Sequence, residues 1–310
     1  INSAPGGVTI ALVQDKQLVE LNKEQINNNY AVGDIYLGRI KKIMPGLNAA
    51  FVDVGYEKDA FLHYLDLGPQ VQSLLKLTRQ VRNGNFTDYL LSGFKREEDI
   101  DKSGKISSIL SKDLLIPVQI AKEPISTKGP RLSSDLSIAG RFVVLVPFSD
   151  VISISKKIKS NTERTRLRKI VEGIKPKGFG IIIRTVSEKK GVAEIQKDIL
   201  DLVSKWELFM KAVPKTGPAK RILGEMGRTS TILRDILNAD FTHVYVDDPA
   251  LFEEVKSYVH EISPEMESIV KLYKGKEPIF EHFGIEKQIK ASFGKTVNLA
   301  GGAYLVIEHT

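Results

Sequence analysis

Between Val32 and His63 the chain alternates short apolar runs with glycine-marked turns, and no other stretch limits the possible folds so strongly. Ile35 and Leu37, followed by Ile40 and Ile43, lay out one strand. Ala49-Ala-Phe-Val-Asp-Val54 lays out the next, with Gly46 and Gly55 at turns. Two or three short twisted strands joined this tightly predict an OB-type barrel, a fold whose open face carries aromatics that stack on unpaired bases. Phe51 and Phe61 are the candidates for that platform. An isolated aromatic on a strand is ordinarily a core residue. The surrounding Gly-Arg-Ile, Ala-Ala-Phe-Val-Asp-Val-Gly and Ala-Phe-Leu-His pattern favours contact with single-stranded RNA instead.

At 310 residues the chain has room for two or three domains and an ample core. No apolar run approaches the ~18 residues that a bilayer span needs. The first residues do not read as a signal peptide and the sequence has no cysteine, which excludes disulfides, cysteine nucleophiles and thiolate metal sites within it; the expectation is a cytoplasmic protein. A net charge of +7 suits a polyanionic partner, although basic enzymes that never meet nucleic acid share it. No methionine precedes Ile1-Asn2, and Ala303-Tyr-Leu-Val-Ile-Glu-His-Thr310 reads as a strand that stops in mid-course. Both ends lead us to expect a fragment of a longer protein.

Residues Val8 to Leu21 read as a hairpin turning at Gln14-Asp15-Lys16. The barrel begins near Val32. From Gly68 to Ser111 the pattern dissolves into polar, glycine-bearing sequence, expected to be an insertion that is partly helical around Val71 to Leu77. Leu114 to Ile120 resumes the strand pattern and is expected to close the barrel. In a second region Arg141-Phe-Val-Val-Leu-Val146 and Ile181-Ile-Ile183 read as fully buried strands. Val151 to Ile158 reads as their partner, and Thr162 to Ile174 as an amphipathic helix with Leu167, Ile170, Val171 and Ile174 on its stripe. A longer helix carries Ile195, Ile199, Leu202, Trp206 and Phe209. A third region reads as βα: a short helix at Ile232 to Leu237, a strand at Phe241 to Val246, a helix started by Asp248-Pro249, and one more strand at Val270 to Tyr273. The opening hairpin and this βα region could be parts of one interrupted domain.

Beyond the barrel, Lys122-Glu-Pro-Ile-Ser-Thr-Lys-Gly-Pro-Arg-Leu132 is a basic segment. Most such runs are solvated loops. Beside an aromatic platform a loop lysine would clamp a phosphate, which makes Lys128 the better candidate and Lys122 the weaker. Arg184-Thr185 ends the isoleucine strand, and a guanidinium next to a hydroxyl can hold a terminal phosphate. A surface salt bridge is the ordinary alternative. His63, His243, His260, His282 and His309 show no metal-ligand spacing. Asp247-Asp248 could suggest a metal site, yet a strand end before a Pro-initiated helix makes Asp248 a cap first. There is no glycine-rich phosphate loop and no nucleophile elbow.

Several segments in one order resemble the ribonuclease E/G family of bacterial endoribonucleases, and within it the ribonuclease G branch. They are Ile35-Tyr-Leu-Gly-Arg-Ile, Ala49-Ala-Phe-Val-Asp-Val-Gly, the Lys122 to Leu132 segment, Ile138-Ala-Gly-Arg-Phe-Val-Val-Leu-Val-Pro, Gly180-Ile-Ile-Ile-Arg-Thr, Lys274-Gly-Lys-Glu-Pro-Ile-Phe and Gly301-Gly-Ala-Tyr-Leu-Val-Ile-Glu. The resemblance runs nearly the whole length, leaving out residues 68–111. It implies an α+β multidomain chain in which an OB-fold barrel is inserted in a split RNase H-like α/β domain, beside an α/β 5′-sensor domain. The expected divisions are 1–31 and 230–285 for the RNase H-like parts, 32–134 for the barrel, 135–229 for the sensor and 286–310 for the start of a DNase I-like catalytic domain. By resemblance Phe51, Phe61 and Lys128 grip RNA. Gly140 and Val144 flank the terminal base, while Arg184 and Thr185 hold the 5′-monophosphate. Lys156 stands where the family has an arginine; it keeps the charge and loses the planar fork. The family's two Mg²⁺-binding aspartates, which activate water for phosphodiester cleavage, are expected beyond Thr310, as is the cysteine zinc link that joins its protomers.

The expectation is thus the RNA-binding and 5′-end-sensing part of a Mg²⁺-dependent, single-strand-specific endoribonuclease of RNA processing and decay. Its partner would be single-stranded RNA with a 5′-monophosphate, with no membrane. The whole enzyme would be a homo-oligomer, and this piece would bind RNA without cutting it or holding a metal. A non-catalytic OB-fold RNA-binding protein is the rival reading. A basic α/β scaffold for another protein is a third, and it predicts no salt-dependent RNA binding.

Overall fold

The computed structural model describes residues 1–24, 29–86, 88–224, 227–299 and 301–308. His309 and Thr310 lie outside the described residues. The chain divides into two compact units, Ile1–Asn28 with Gly227–Thr310, and Asn29–Met226.

The first unit opens on an antiparallel sheet in the order β1 (Asn2–Ala4), β2 (Gly7–Gln14), β3 (Gln17–Glu24). The expected hairpin is present and longer than its alternation suggested. Asp15 and Lys16 sit at φ of 49° and 64°, the two left-handed residues that a tight type I′ hairpin turn requires.

The second unit opens on the barrel: β4 (Ile35–Met44), β5 (Ala49–Asp53), β6 (Ala60–His63), α1 (Val71–Arg82), α2 (Ile106–Ile109), β7 (Leu115–Lys122) and β8 (Arg131–Ser133). The strands bond in the order β4-β5-β6-β8-β7, and β7 returns to β4, closing five strands in a way consistent with an OB-fold. A bulge between Ile40 and Lys42 shifts the register of β4 against β5 and bends the strand. Ile35 to Arg39 pair with β7, and Arg39 to Met44 with β5. Ile40, Val52, Ala60, Leu62, Ile116, Val118, Ile120 and Leu132 fill the interior, each at most 1% exposed. Gly38 is where the walls come closest: a Cβ there would lie 2.6 Å from Val52 Cγ1 and 3.0 Å from Val118 Cγ2.

Two expectations about this region need correction. The pairing of β7 with β4 does close the barrel, but β8 is also needed, and its first two residues, Arg131 and Leu132, belong to the basic segment read as a loop. Residues 68–111 are not only a polar excursion. The helix runs on to Arg82, Val71, Ile106 and Leu110 complete the barrel core, and Leu74, Leu77, Val81 and Leu91 enter the next core.

That next core lies under a sheet in the order β11-β12-β10-β9, built from β9 (Ile138–Ala139), β10 (Val143–Pro147), β11 (Ile152–Ile154) and β12 (Phe179–Ile183). Helices α3 (Asn161–Ile174) and α4 (Val192–Ala212) pack with it. Trp206 is fully buried there, and its Nε1 donates to Tyr89 O at 2.7 Å. The reading of 141–146 and 181–183 as fully buried strands is overturned. Val143, Leu145, Ile181 and Ile183 are buried, but Val144 and Val146 are half-buried and Ile182 is 41% exposed. One sheet face is open because the helices cover only the other. A further unforeseen strand, β13 (Lys220–Leu223), pairs antiparallel with β4.

The first unit resumes with α5 (Arg228–Ile236), β14 (Val244–Val246), α6 (Pro249–Ile262), β15 (Val270–Leu272), α7 (Ile279–His282), α8 (Ile285–Ser292), β16 (Thr296–Asn298) and β17 (Tyr304–Val306). The strand expected from Phe241 forms only over its last three residues, parallel to β15. Asp248 caps α6 as expected, its Oδ1 accepting from Leu251 N at 2.8 Å. Asp247 accepts from Asn2 Nδ2 at 2.6 Å and Ser3 N at 2.8 Å, so it holds β1.

Adding one methyl group at Gly38 should therefore strain the barrel. Gly38→Ala is expected to cost about 1–3 kcal/mol in denaturant unfolding. A loss within error of zero would mean the walls can part.

Candidate nucleic-acid interface

Parity along β5 and β6 decides what the barrel shows to solvent. Ala50, Val52, Ala60 and Leu62 point inward, so Phe51 and Phe61 point outward and are half-buried. They are direct cross-strand partners, with ring centroids 6.0 Å apart and planes at 68°. His63 follows, 6.4 Å from the Phe61 ring. The register extends this pair into a row across the strands. Lys42 is opposite Phe51, Arg131 is level with Phe61, and Lys122 is opposite Arg131. The three cations are exposed. The row therefore reads cation, ring, ring, cation, cation.

Lys122 thus stands in the row, whereas Lys128 lies in the turn between β7 and β8. There it pairs with Ile125 through two backbone bonds of 3.0 and 3.3 Å. That turn is held against β6, since Phe61 N donates to Pro130 O at 2.9 Å. Lys42 and Arg131 were not singled out from the sequence. Their signal was register, which alternation within one strand does not reveal. Arg131 is bound to Asp66 by two hydrogen bonds of 2.9 and 3.2 Å, which raise its pKa further.

The second group of candidates gathers at one end of the open sheet. Arg184 and Thr185 follow the last residue of β12, and Arg184 N donates to Phe142 O at 2.9 Å. Arg184 Nη1 donates to Gly140 O at 2.6 Å. Gly140 sits close against Asp198: a Cβ there would lie 2.6 Å from both carboxylate oxygens. That carboxylate accepts the backbone N–H groups of Arg141, Phe142 and Val143 at 3.0, 2.8 and 2.9 Å. Asp198, which no local pattern in the sequence marks, is what shapes the loop. Val144 lies on the open face between Ala139 and Ile182. Thr185 Oγ1 is 2.9 Å from Ser155 Oγ, and the exposed Lys156 comes next in the chain. Gly140, Arg184 and Thr185 are thus brought together, with Val144 and Lys156 on their flanks.

Behind this end, Glu163 ties helix α3 to the segment after Thr185. It accepts from Lys189 N at 2.7 Å and from Arg166 Nε and Nη2 at 2.8 and 2.6 Å. Arg166 in turn donates to Lys190 O at 2.9 Å. The Arg166 hydrogen bonds hold the Glu163 carboxyl down to about 2.

Among the described residues no group of three or more His, Asp or Glu side chains could hold a metal ion. No described helix is long and apolar enough to cross a membrane. A cavity of about 660 Å³ lies in the first unit, lined by Ile10, Leu12, Ile232, Ile236 and Phe280 among others, and none of the candidate residues lines it.

The geometry defines a mixed α+β chain with a closed barrel displaying paired rings and a sheet end at which Arg184, Thr185 and Gly140 meet. The profile of the Ribonuclease E/G family matches residues 137–310, and the chain belongs to that family. Ribonuclease G of Haemophilus influenzae is 34% identical over 310 residues, covering 100% of this chain and 59% of that protein. Ribonuclease G of Escherichia coli K12 is 31% identical over 310 residues, covering 100% of this chain and 60% of the relative. Ribonuclease E of Nostoc sp. is 31% identical over 304 residues, or 97% of this chain and 40% of its own length. The chain spans about 60% of the length of these Ribonuclease G relatives.

A carboxyl held this low stabilises the fold fully above its ordinary value of 4.5, and the contribution is lost as pH falls from there toward 2. Glu163→Gln should accordingly flatten that part of the Tm-against-pH curve. An acid limb identical to the parent's would remove the clamp.

Proposed function

We propose that this chain is the RNA-binding and 5′-monophosphate-reading part of an endoribonuclease of RNA processing and decay. The observation that carries the reading is the outward Phe51–Phe61 pair inside a row of cations. Rings on a strand surface stack on bases of any sequence, and flanking cations track the phosphates, which together suit an unpaired strand. Membership of a family whose relatives are named ribonucleases supplies the class of reaction. The Arg184, Thr185 and Gly140 cluster supports reading of a terminal phosphate, because a guanidinium fork beside a hydroxyl matches a phosphate dianion. Lys156, Lys122 and Lys128 add charge in this reading, and Val144 supports the terminal base. We also propose that residues 1–31 and 230–285 form the split RNase H-like domain and act as structure, since Asp247 and Asp248 are both engaged in holding β1 and α6, and that 286–310 begin the catalytic domain. The Mg²⁺ dependence, the homo-oligomeric state and the cytoplasmic setting of the whole enzyme belong to the same proposal. Among the described residues no set fits Mg²⁺.

Three outcomes test the reading. Affinity of the full chain for a single-stranded RNA should fall with salt, with a log–log slope of about −2 if three cations each neutralise one phosphate. Phe61→Ala should weaken that binding by about 1–3 kcal/mol, and unchanged affinity would return the ring to a packing role. Arg184→Ala should cut the preference for 5′-monophosphorylated over 5′-hydroxyl RNA by about tenfold or more. Arg184→Lys should fall between, having charge without the fork. No salt dependence at all would favour the scaffold reading.

A further inference from the structure

The hydroxyl pair at the end of the open sheet has a polarity that matters for any anion placed there. Ser155 and Thr185 share one hydrogen bond, 2.9 Å between Oγ and Oγ1, and either oxygen could donate it. If Thr185 donates, it presents lone pairs outward and repels a phosphate. If Ser155 donates, the Thr185 proton is left to point at the phosphate. One contact bears on this choice: Ser155 Oγ also accepts from Lys157 N at 3.3 Å. An oxygen that already accepts is a better donor, because hydrogen bonds in series polarise one another. The chain of bonds then runs from Lys157 N–H to Ser155 O–H to Thr185 O–H and outward.

Ser155 is also well placed to hold its partner. Its N–H donates to Ile183 O at 2.9 Å, which extends the β11–β12 pairing to the residue next to Arg184. Its carbonyl accepts from Arg164 Nη1 at 2.8 Å, and that guanidinium also reaches Ile158 O at 3.2 Å. Helix α3 thereby pins the segment that carries Ser155.

We infer that Ser155 is a positioning residue for 5′-phosphate recognition, orienting the Thr185 hydroxyl as a donor to the terminal phosphate through a Lys157–Ser155–Thr185 hydrogen-bond chain. The inference rests on the sensor reading proposed above. It assigns Ser155 no contact with RNA; its effect passes through Thr185.

The test compares two RNAs of one sequence, with a 5′-monophosphate or a 5′-hydroxyl, binding to the full chain. Ser155→Ala is expected to lower the ratio of the two affinities by about three- to tenfold, the worth of one hydrogen bond, and to leave 5′-hydroxyl binding unchanged. Ser155→Thr, which keeps the hydroxyl, should restore the ratio. On a Thr185→Val background Ser155→Ala should change nothing further, since the two residues act as one unit. A ratio near one in the parent overturns the sensor reading and this inference with it. A ratio above one that Ser155→Ala leaves intact overturns the positioning role alone. Equal losses for both RNAs, or additive losses on the Thr185→Val background, assign Ser155 to general packing and overturn it as well.

Discussion

Strand β4 bonds to β7 through Ile35–Arg39 and to β5 through Arg39–Met44, and that double pairing is what closes the barrel. Closure removes the free edges of the sheet and leaves a single workable register. A slip of one residue in β5 would carry Phe51 inward and Val52 outward, because side chains alternate with period two. The interior has no room for that exchange, since Gly38 already brings β4 within contact of Val52 and Val118. The outward rings are thus held by the packing behind them, and the cations beside them by the same register.

A different device builds the sheet end. There the backbone is shaped by a carboxylate. Asp198 gathers three successive N–H groups from Arg141 to Val143, and a Cβ at residue 140 would have to displace that carboxylate. The carbonyl of that glycine then receives Arg184. Hydrogen bonds to an ionised acceptor are the strong kind and fix direction as well as distance. The guanidinium is consequently placed by a loop that a side chain of α4 shapes.

Residues 68–111 connect these two constructions. Val71, Ile106 and Leu110 belong to the barrel core, and Leu74, Leu77, Val81 and Leu91 to the core under the open sheet. One helix serving two cores explains why barrel and sheet sit within one compact unit, and why a polar composition was a poor guide to burial. The apolar positions of α1 are spaced for a helix, but its two faces look into different cores, a division that one-dimensional periodicity cannot show.

Much of the architecture was legible beforehand. The hairpin at Val8, the barrel strands apart from β8, the α3 stripe and the Asp248 cap follow from periodicity and turn chemistry, and the ordered motifs pointed to the family that the profile then matched. Phe51, Phe61, Arg184 and Thr185 were also singled out from the chain alone. What the chain alone could not decide was coverage and neighbourhood. An apolar run such as Ile181-Ile-Ile183 is the same whether one layer of helices packs on the sheet or two, so its open face came only from the tertiary structure. Lys42 and Arg131 meet the rings only through strand pairings distant in sequence, and Asp198 meets Gly140 only because α4 packs along the sheet. Local sequence determined the elements, through the period of their apolar residues; closure and layering decided which side chains meet, because those depend on contacts between segments far apart in the chain.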